Sequence, residues 1–149
     1  MSYIDTYNTV ISLHHLDFMG HVNNATYLQL MEEARWHLYN HFCYTKEMVL
    51  EEKKGPIILE THIKYRKEIL LDEVVTIETR CLEYSGALGK IHQTIYKENG
   101  KKSCQAEFVF ALFDLQKRKL LSPRGFWKHI HAKMLEEYAD IQEEPRSYI

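Results

Sequence analysis

Asp17-Phe18-Met19-Gly20-His21-Val22-Asn23-Asn24-Ala25-Thr26-Tyr27 is the stretch on which the reading of this chain turns. One acid, one glycine and a polar cluster stand just before a long, mostly apolar helical pattern. Asn23 and Asn24 are both good N-cap candidates, because a short side-chain oxygen can accept a bond from a free amide of the first turn. The helix is predicted to run to about Phe42. Tyr27, Met31, Ala34 and Leu38 fall on one face at helical spacing, and Leu28, Leu30, Trp36 and Tyr39 add apolar residues elsewhere. A helix apolar on several sides is expected to be buried on most of them, as a helix wrapped by a sheet would be.

Outward from that helix the strands supply such a sheet. Tyr3 to Leu13 reads as a first strand. From Gly55-Pro56 the period changes to two, with Ile57, Leu59, Thr61, Ile63 and Tyr65 on one face and Glu60, His62, Lys64 and Arg66 on the other. Glu73 to Tyr84 and Lys90 to Lys97 read as strands around a turn at Ser85-Gly86 and Gly89. Asn99-Gly100 marks a tight hairpin, since both residues tolerate positive φ. Ser103 to Leu115 places Ala106, Phe108, Phe110 and Leu112 on one face and Val109, Ala111 and Phe113 on the other, so burial on both sides is expected. Lys117-Arg118-Lys119 reads as an exposed turn between the last strands. Ser122-Pro123 then opens a terminal helix with Trp127, Ile130, Met134 and Tyr138 as its stripe. The tail over 139–149 is acidic and expected to be loose. The fold class is α+β: a curved antiparallel sheet round a long central helix, plus a C-terminal helix, as a single domain over 1–149.

Composition narrows the function. A formal charge of -2 argues against a nucleic-acid partner. No apolar run reaches membrane-spanning length, so no stable membrane insertion is expected, and the N-terminus shows no signal-peptide pattern. The three cysteines, Cys43, Cys81 and Cys104, form no CxxC and read as reduced thiols of a cytoplasmic protein. No GxSxG, GxGxxG or P-loop occurs. His14 and His15, read as adjacent residues of an extended strand, point to opposite faces. With His21 they complete no zinc spacing, so neither metal nor cofactor is expected.

The polar stretch itself suits attack on a carbonyl. Asp17 can act as nucleophile or as general base for water, and the residues alone leave both open. The first amides of the helix, over Val22, Asn23 and Asn24, lie at the positive end of its dipole and form a natural oxyanion hole. Removing one such donor typically costs on the order of 3–4 kcal/mol of barrier. Gly20 permits a tight turn and close approach of a substrate. Asn24 or His21 could orient the water or the carboxylate. An ion pair of Glu32 with Arg35, or an interface role, is the expected fate of the helix charges.

The motif Asp17-x-x-Gly20-His21-Val22-Asn23, the helix Tyr27…Glu32-x-Ala34-Arg35, the strand pair Tyr65-Arg66 and the glycine-bearing turn near Ser85 resemble the hotdog-fold thioesterases of the 4-hydroxybenzoyl-CoA thioesterase family. Within it they look most like the long-chain acyl-CoA branch, and the likeness covers nearly the whole chain. The resemblance implies a sheet wrapped round the first long helix, a dimer with a continuous sheet, often a tetramer, and active sites at the subunit interface. It maps Asp17 onto the family's catalytic aspartate. Some relatives carry a histidine where this chain has Asn24, which shifts weight to Asp17, a water and the backbone amides. The expected function is hydrolysis of a fatty acyl-CoA to the free acid and CoA. Gly20, His21, Tyr27, Tyr65, Arg66, Ser85 and Gly86 are the expected substrate contacts, with Lys64 and Lys90 as further phosphate candidates. Tyr27, Met31 and Phe110 are candidates to cap an acyl tunnel. Two rivals stand beside it: a thioesterase for aromatic, short-chain or carrier-protein-bound acyl groups, and an acyl-CoA-binding module without turnover.

Overall fold

A computed structural model describes residues 3–85, 87–122 and 128–134. The elements run β1 (Ile4–Val10), a 3-10 turn (Leu13–His15), α1 (Thr26–His41), α2 (Lys46–Glu52), β2 (Lys54–Tyr65), β3 (Val74–Ser85), β4 (Leu88–Tyr96), β5 (Lys102–Asp114) and β6 (Lys119–Leu121), and residues 128–134 are helical. Every strand pairing is antiparallel, in the order β1-β3-β4-β5-β2, with β6 on β5. Pro123, Trp127, Tyr138, Gly86 and the tail lie outside the described residues.

The helical stripe is the core. Tyr27, Met31, Ala34 and Leu38 are all buried, together with Leu30 and Tyr39. They pack on the inner residues of the sheet, Ile77, Ile91, Ile95, Ala106, Phe108, Phe110 and Leu112. Ile130 and Met134 of 128–134 close the same core. The wrapping is one-sided, however. Gln29, Glu32, Glu33, His37 and Asn40 are exposed at helical spacing, so α1 keeps an open face.

The alternation expected for β2 holds from Glu60 onward and fails before it. The register slips between Ile58 and Glu60, so that Ile58 pairs with Phe110 and Glu60 with Val109, leaving Leu59 as the extra residue of a bulge. A residue shares its face with its direct cross-strand partner. Ile58 therefore lies on the core side, while Ile57, opposite Ala111, moves to the outer face. β2 also stops at Tyr65, because the amides of Arg66 and Lys67 both turn onto the Ser103 carbonyl.

The helix charges take an unexpected partner. Arg35 lies over the Phe108 ring at 4.5 Å, and its Nη1 donates to Gln93 Oε1 at 3.0 Å. Gln93 is fully buried, and its Nε2 donates to the Met31 carbonyl and to Thr79 Oγ1, each at 2.9 Å. Burial pulls the Arg35 guanidinium below its ordinary pKa, with Tyr39 and Glu32 acting the other way. Glu32 is thus an electrostatic neighbour, and Gln93 is the hydrogen-bond partner.

Candidate active site

The segment from Leu16 to Val22 closes on itself. Leu16 and Val22 form a β-bridge, the Asp17 amide donates to the His21 carbonyl at 3.0 Å, and the Gly20 amide donates to the Asp17 carbonyl at 3.1 Å. Gly20 has φ of +80°, which explains the glycine, and a Cβ there would meet nothing within 4 Å. The turn conformation, rather than a close approach of backbone, is therefore what this position requires.

Asp17 has one committed and one uncommitted oxygen. Oδ1 accepts the Met19 amide at 2.9 Å. Oδ2 lies 3.5 Å from His21 Nε2, and the other ring nitrogen, Nδ1, is 3.0 Å from Glu68 Oε2. Phe18, at the tip, is 97 % exposed.

The expected oxyanion donors divide sharply. The Val22 amide donates to the Ile69 carbonyl and the Asn23 amide to the His15 carbonyl, each at 3.0 Å. Both are consumed in holding the elbow against the 66–73 loop and the 3-10 turn, so neither is the unpaired donor expected from sequence. Among the described residues the Asn24 amide has no such partner. Helix capping is corrected too. The N-cap is Ala25, without a side-chain cap, and Asn23 Oδ1 accepts the Ala25 amide at 2.9 Å.

Tyr65 joins the elbow, its hydroxyl donating to the Asn24 carbonyl at 2.9 Å and its ring meeting Tyr27 edge-on with centroids 5.1 Å apart. Burial raises the pKa of both phenols, with Ser103 acting the other way on Tyr27. Arg66 points the other way. Its Nε donates to Gln105 Oε1 at 3.0 Å, and with His62, Lys64, His92 and Glu107 it lines an open cavity of about 310 Å³ on the outer face of the sheet. Lys90 is held between Glu83 and Glu107. Ser85 ends β3, whose other end, Val74, pairs with Val10 beside the elbow. At roughly 3.3 Å per residue the two ends of that strand are ~35 Å apart, so one protomer does not bring Ser85 to Asp17.

His14 and His15 are not on a strand. They occupy the 3-10 turn with their rings 4.0 Å apart, Nδ1 of His15 accepting the Ser12 amide at 2.9 Å. Burial, and then His14, lowers the pKa of His15. The residue that sequence reading missed is Glu68. It lies 47 positions from His21, in a loop with no periodicity, and no local pattern marks it.

Comparison with known proteins agrees with this architecture. The sequence profile of the thioesterase-like superfamily matches residues 11–143. The chain is 32% identical over 114 residues to the long-chain acyl-CoA thioesterase FadM of Escherichia coli (strain K12), covering 75% of this chain and 85% of that protein. The DHNA-CoA thioesterase of Staphylococcus aureus superposes with a TM-score of 0.82 at 16% identity, covering 98% of each chain. The protein SAV2348 of Staphylococcus aureus, solved in complex with CoA, gives 0.80 at 15% identity, covering 100% of this chain and 91% of that one. By sequence and by architecture, the chain belongs to the thioesterase-like superfamily and is a hotdog-fold thioester hydrolase.

Proposed function

We propose that the protein hydrolyses long-chain fatty acyl-CoA to the free acid and CoA at the elbow, with Asp17 as the reacting carboxylate and the Asn24 amide as an oxyanion donor. What supports this reading is that one elbow carries Asp17 Oδ2, met only loosely by His21 Nε2 at 3.5 Å, and, just before α1, the Asn24 amide, which has no partner among the described residues. A thioester carbonyl between them would meet attack from one side and charge stabilisation from the other. Similarity to FadM favours a long acyl chain. So does the apolar rim, where Phe18, Met19, Leu70 and Leu71 are exposed around the elbow and its neighbouring loop.

The reading includes an oligomer. β2 ends the sheet and presents a twelve-residue edge with Ile58, Leu59 and Tyr65 exposed. Long apolar edges are normally covered, and a second copy pairing there would bring another sheet beside Tyr65 and the elbow. Lys64 and Arg66, which face away from Asp17 in their own protomer, would then serve CoA phosphates of the neighbouring site. A sedimentation experiment giving a clean monomer would remove this part.

The deciding experiment compares Asp17→Asn with the parent on palmitoyl-CoA. We expect kcat to fall about a thousandfold, within the range for loss of a general base. Unchanged kcat with unchanged folding would sink the assignment. A panel of acyl-CoAs of rising length, with an aromatic acyl-CoA included, tests chain preference. Tight binding without thiol release would instead favour a carrier.

A further inference from the structure

We infer that His21 and Glu68 complete a three-residue hydrolytic chain with Asp17, in which Asp17 is the nucleophile, His21 the base for water and Glu68 the positioning residue. This rests on the reading of Asp17 given above, taken along its nucleophilic route.

The argument begins from proton accounting on one imidazole. A neutral histidine carries a single ring proton, and His21 faces a carboxylate at each nitrogen. Glu68 Oε2 stands at 3.0 Å from Nδ1, a good hydrogen bond, while Asp17 Oδ2 stands at 3.5 Å from Nε2, beyond a good one. The nearer acceptor takes the proton. Nδ1–H donates to Glu68, and Nε2 presents its lone pair toward Asp17. Two acceptors then face each other across a gap, which suits a transferring proton or a water held by both. A carboxylate that fixes the tautomer of a histidine so that the far nitrogen is basic is the logic of catalytic triads in general.

The surroundings support that assignment. Glu68 is anchored through its backbone, its carbonyl accepting Lys97 Nζ at 2.7 Å, while Lys97 also pairs with Glu73 Oε2 at 3.5 Å. The 66–73 loop is fastened to the elbow by the Val22 amide on the Ile69 carbonyl. Side-chain exposure rises along the chain of groups, from 13 % at Asp17 to 29 % at His21 and 59 % at Glu68. The reacting carboxylate is the most sheltered, and the base opens onto solvent where it can shed a proton.

The chemistry balances in two steps. Asp17 Oδ2 attacks the thioester carbonyl carbon, the carbon–sulfur bond breaks, and CoA leaves as a thiolate that takes its proton from solvent. An acyl–aspartyl anhydride remains. Water then attacks the anhydride carbonyl as His21 Nε2 takes its proton. The bond to Asp17 breaks, the fatty acid departs, Asp17 is again a carboxylate, and the imidazolium returns its proton to solvent. No oxidant, reductant or metal enters.

The test is rapid-mixing thiol release from palmitoyl-CoA with a chromogenic thiol reagent. His21→Gln is expected to release one thiol per site in a burst at near-parental rate and then turn over at least a hundredfold more slowly. The stalled enzyme should carry the acyl mass by mass spectrometry. Glu68→Ala is expected to show the same burst with a smaller loss, about tenfold, whereas Glu68→Gln, whose amide oxygen can still accept Nδ1–H, should recover most of kcat. Parental turnover in His21→Gln would overturn the proposal, as would equal loss of burst and steady state in a variant that melts like the parent. Equal kcat in Glu68→Ala and the parent would remove Glu68 from it. Asp17→Asn in the same assay separates the levels. Loss of activity there with a fully active His21→Gln leaves Asp17 in place and discards the triad, whereas a fully active Asp17→Asn discards both.

Discussion

Two polar groups of residues sit on the same helix, one at its mouth and one beneath its midpoint. The midpoint group, Arg35 with Gln93, Thr79 and the Met31 carbonyl, is closed around its glutamine: both ends of the Gln93 amide are used, and the glutamine is fully buried. The mouth group is incomplete by comparison. Asp17 Oδ2, His21 Nε2 and the Asn24 amide each keep capacity in hand. Buried polar groups stabilise only when every member is paired, and groups that bind or react must retain something unpaired. On the proposed reading, this difference tells a structural polar cluster from a reactive one better than residue type does, since arginine and glutamine are no less polar than aspartate and asparagine.

The contrast is sharpest at Asp17. Its exchange for asparagine should cost about 4 kcal/mol of activation free energy, the equivalent of a thousandfold. Thermal melting should scarcely move, because the amide oxygen of the substituted side chain can still accept the Met19 amide. A large fall in melting temperature would place Asp17 with the structural cluster instead. Gln93→Leu should behave the opposite way. It strands the buried Arg35 donor and the Thr79 hydroxyl, a loss of about 3 kcal/mol in stability. Measured by urea unfolding that loss should be plain, while kcat per folded molecule stays within about twofold.

Sequence periodicity made the sheet, the helix stripe and the Asn99-Gly100 turn legible, because each depends on residues near one another in the chain. Asn99-Gly100 shows how local that information is: Gly100 takes φ of +83°, and its amide donates to the Lys97 carbonyl at 2.8 Å. What stayed hidden depends on distant partners. The bulge at Leu59 is a property of two strands and leaves the β2 pattern looking regular. The Val22 amide is spent on Ile69 and His21 is met by Glu68, both far along the chain. The short helix α2 was locally signalled, by Thr45 accepting the Met48 amide and Glu47 in the first turn, but it carries no buried residue, so no apolar stripe announced it.

Proton linkage extends the comparison to pH. Burial pushes the Cys81 and Cys104 thiols up to about 12 from 9.0, and Tyr44 to about 12 from 10.0. Each is held neutral in the folded protein, so the folded state binds these protons more tightly than the unfolded chain. Their contribution is complete below about pH 9 and is lost as pH rises toward about 12. Melting temperature should therefore begin to fall near pH 9 with no active-site cause. Cys81→Ala combined with Cys104→Ala should flatten that fall, and an equally steep fall in the double variant would refute the assignment. The same protonation makes both thiols slow toward iodoacetamide at about pH 8, with exposed Cys43 labelled first.

Tyr65 sits between the two kinds of region and gives the finest test of the contrast. It ends the edge strand β2, its ring rests on Tyr27 of the core, and its hydroxyl holds the Asn24 carbonyl. Tyr65→Phe keeps the ring contact and deletes one partly exposed hydrogen bond, so stability should drop by only about 1 kcal/mol. Asn24 carries both that carbonyl and an amide without a partner among the described residues, so the aim of the amide is fixed partly by the Tyr65 hydroxyl. If Asn24 donates to the oxyanion, kcat should fall several-fold while KM holds, because the misdirected donor matters most when charge has developed. An unchanged kcat with the same small loss of stability would assign Tyr65 to the fold alone, and with it the hydrogen bond that joins sheet edge to elbow.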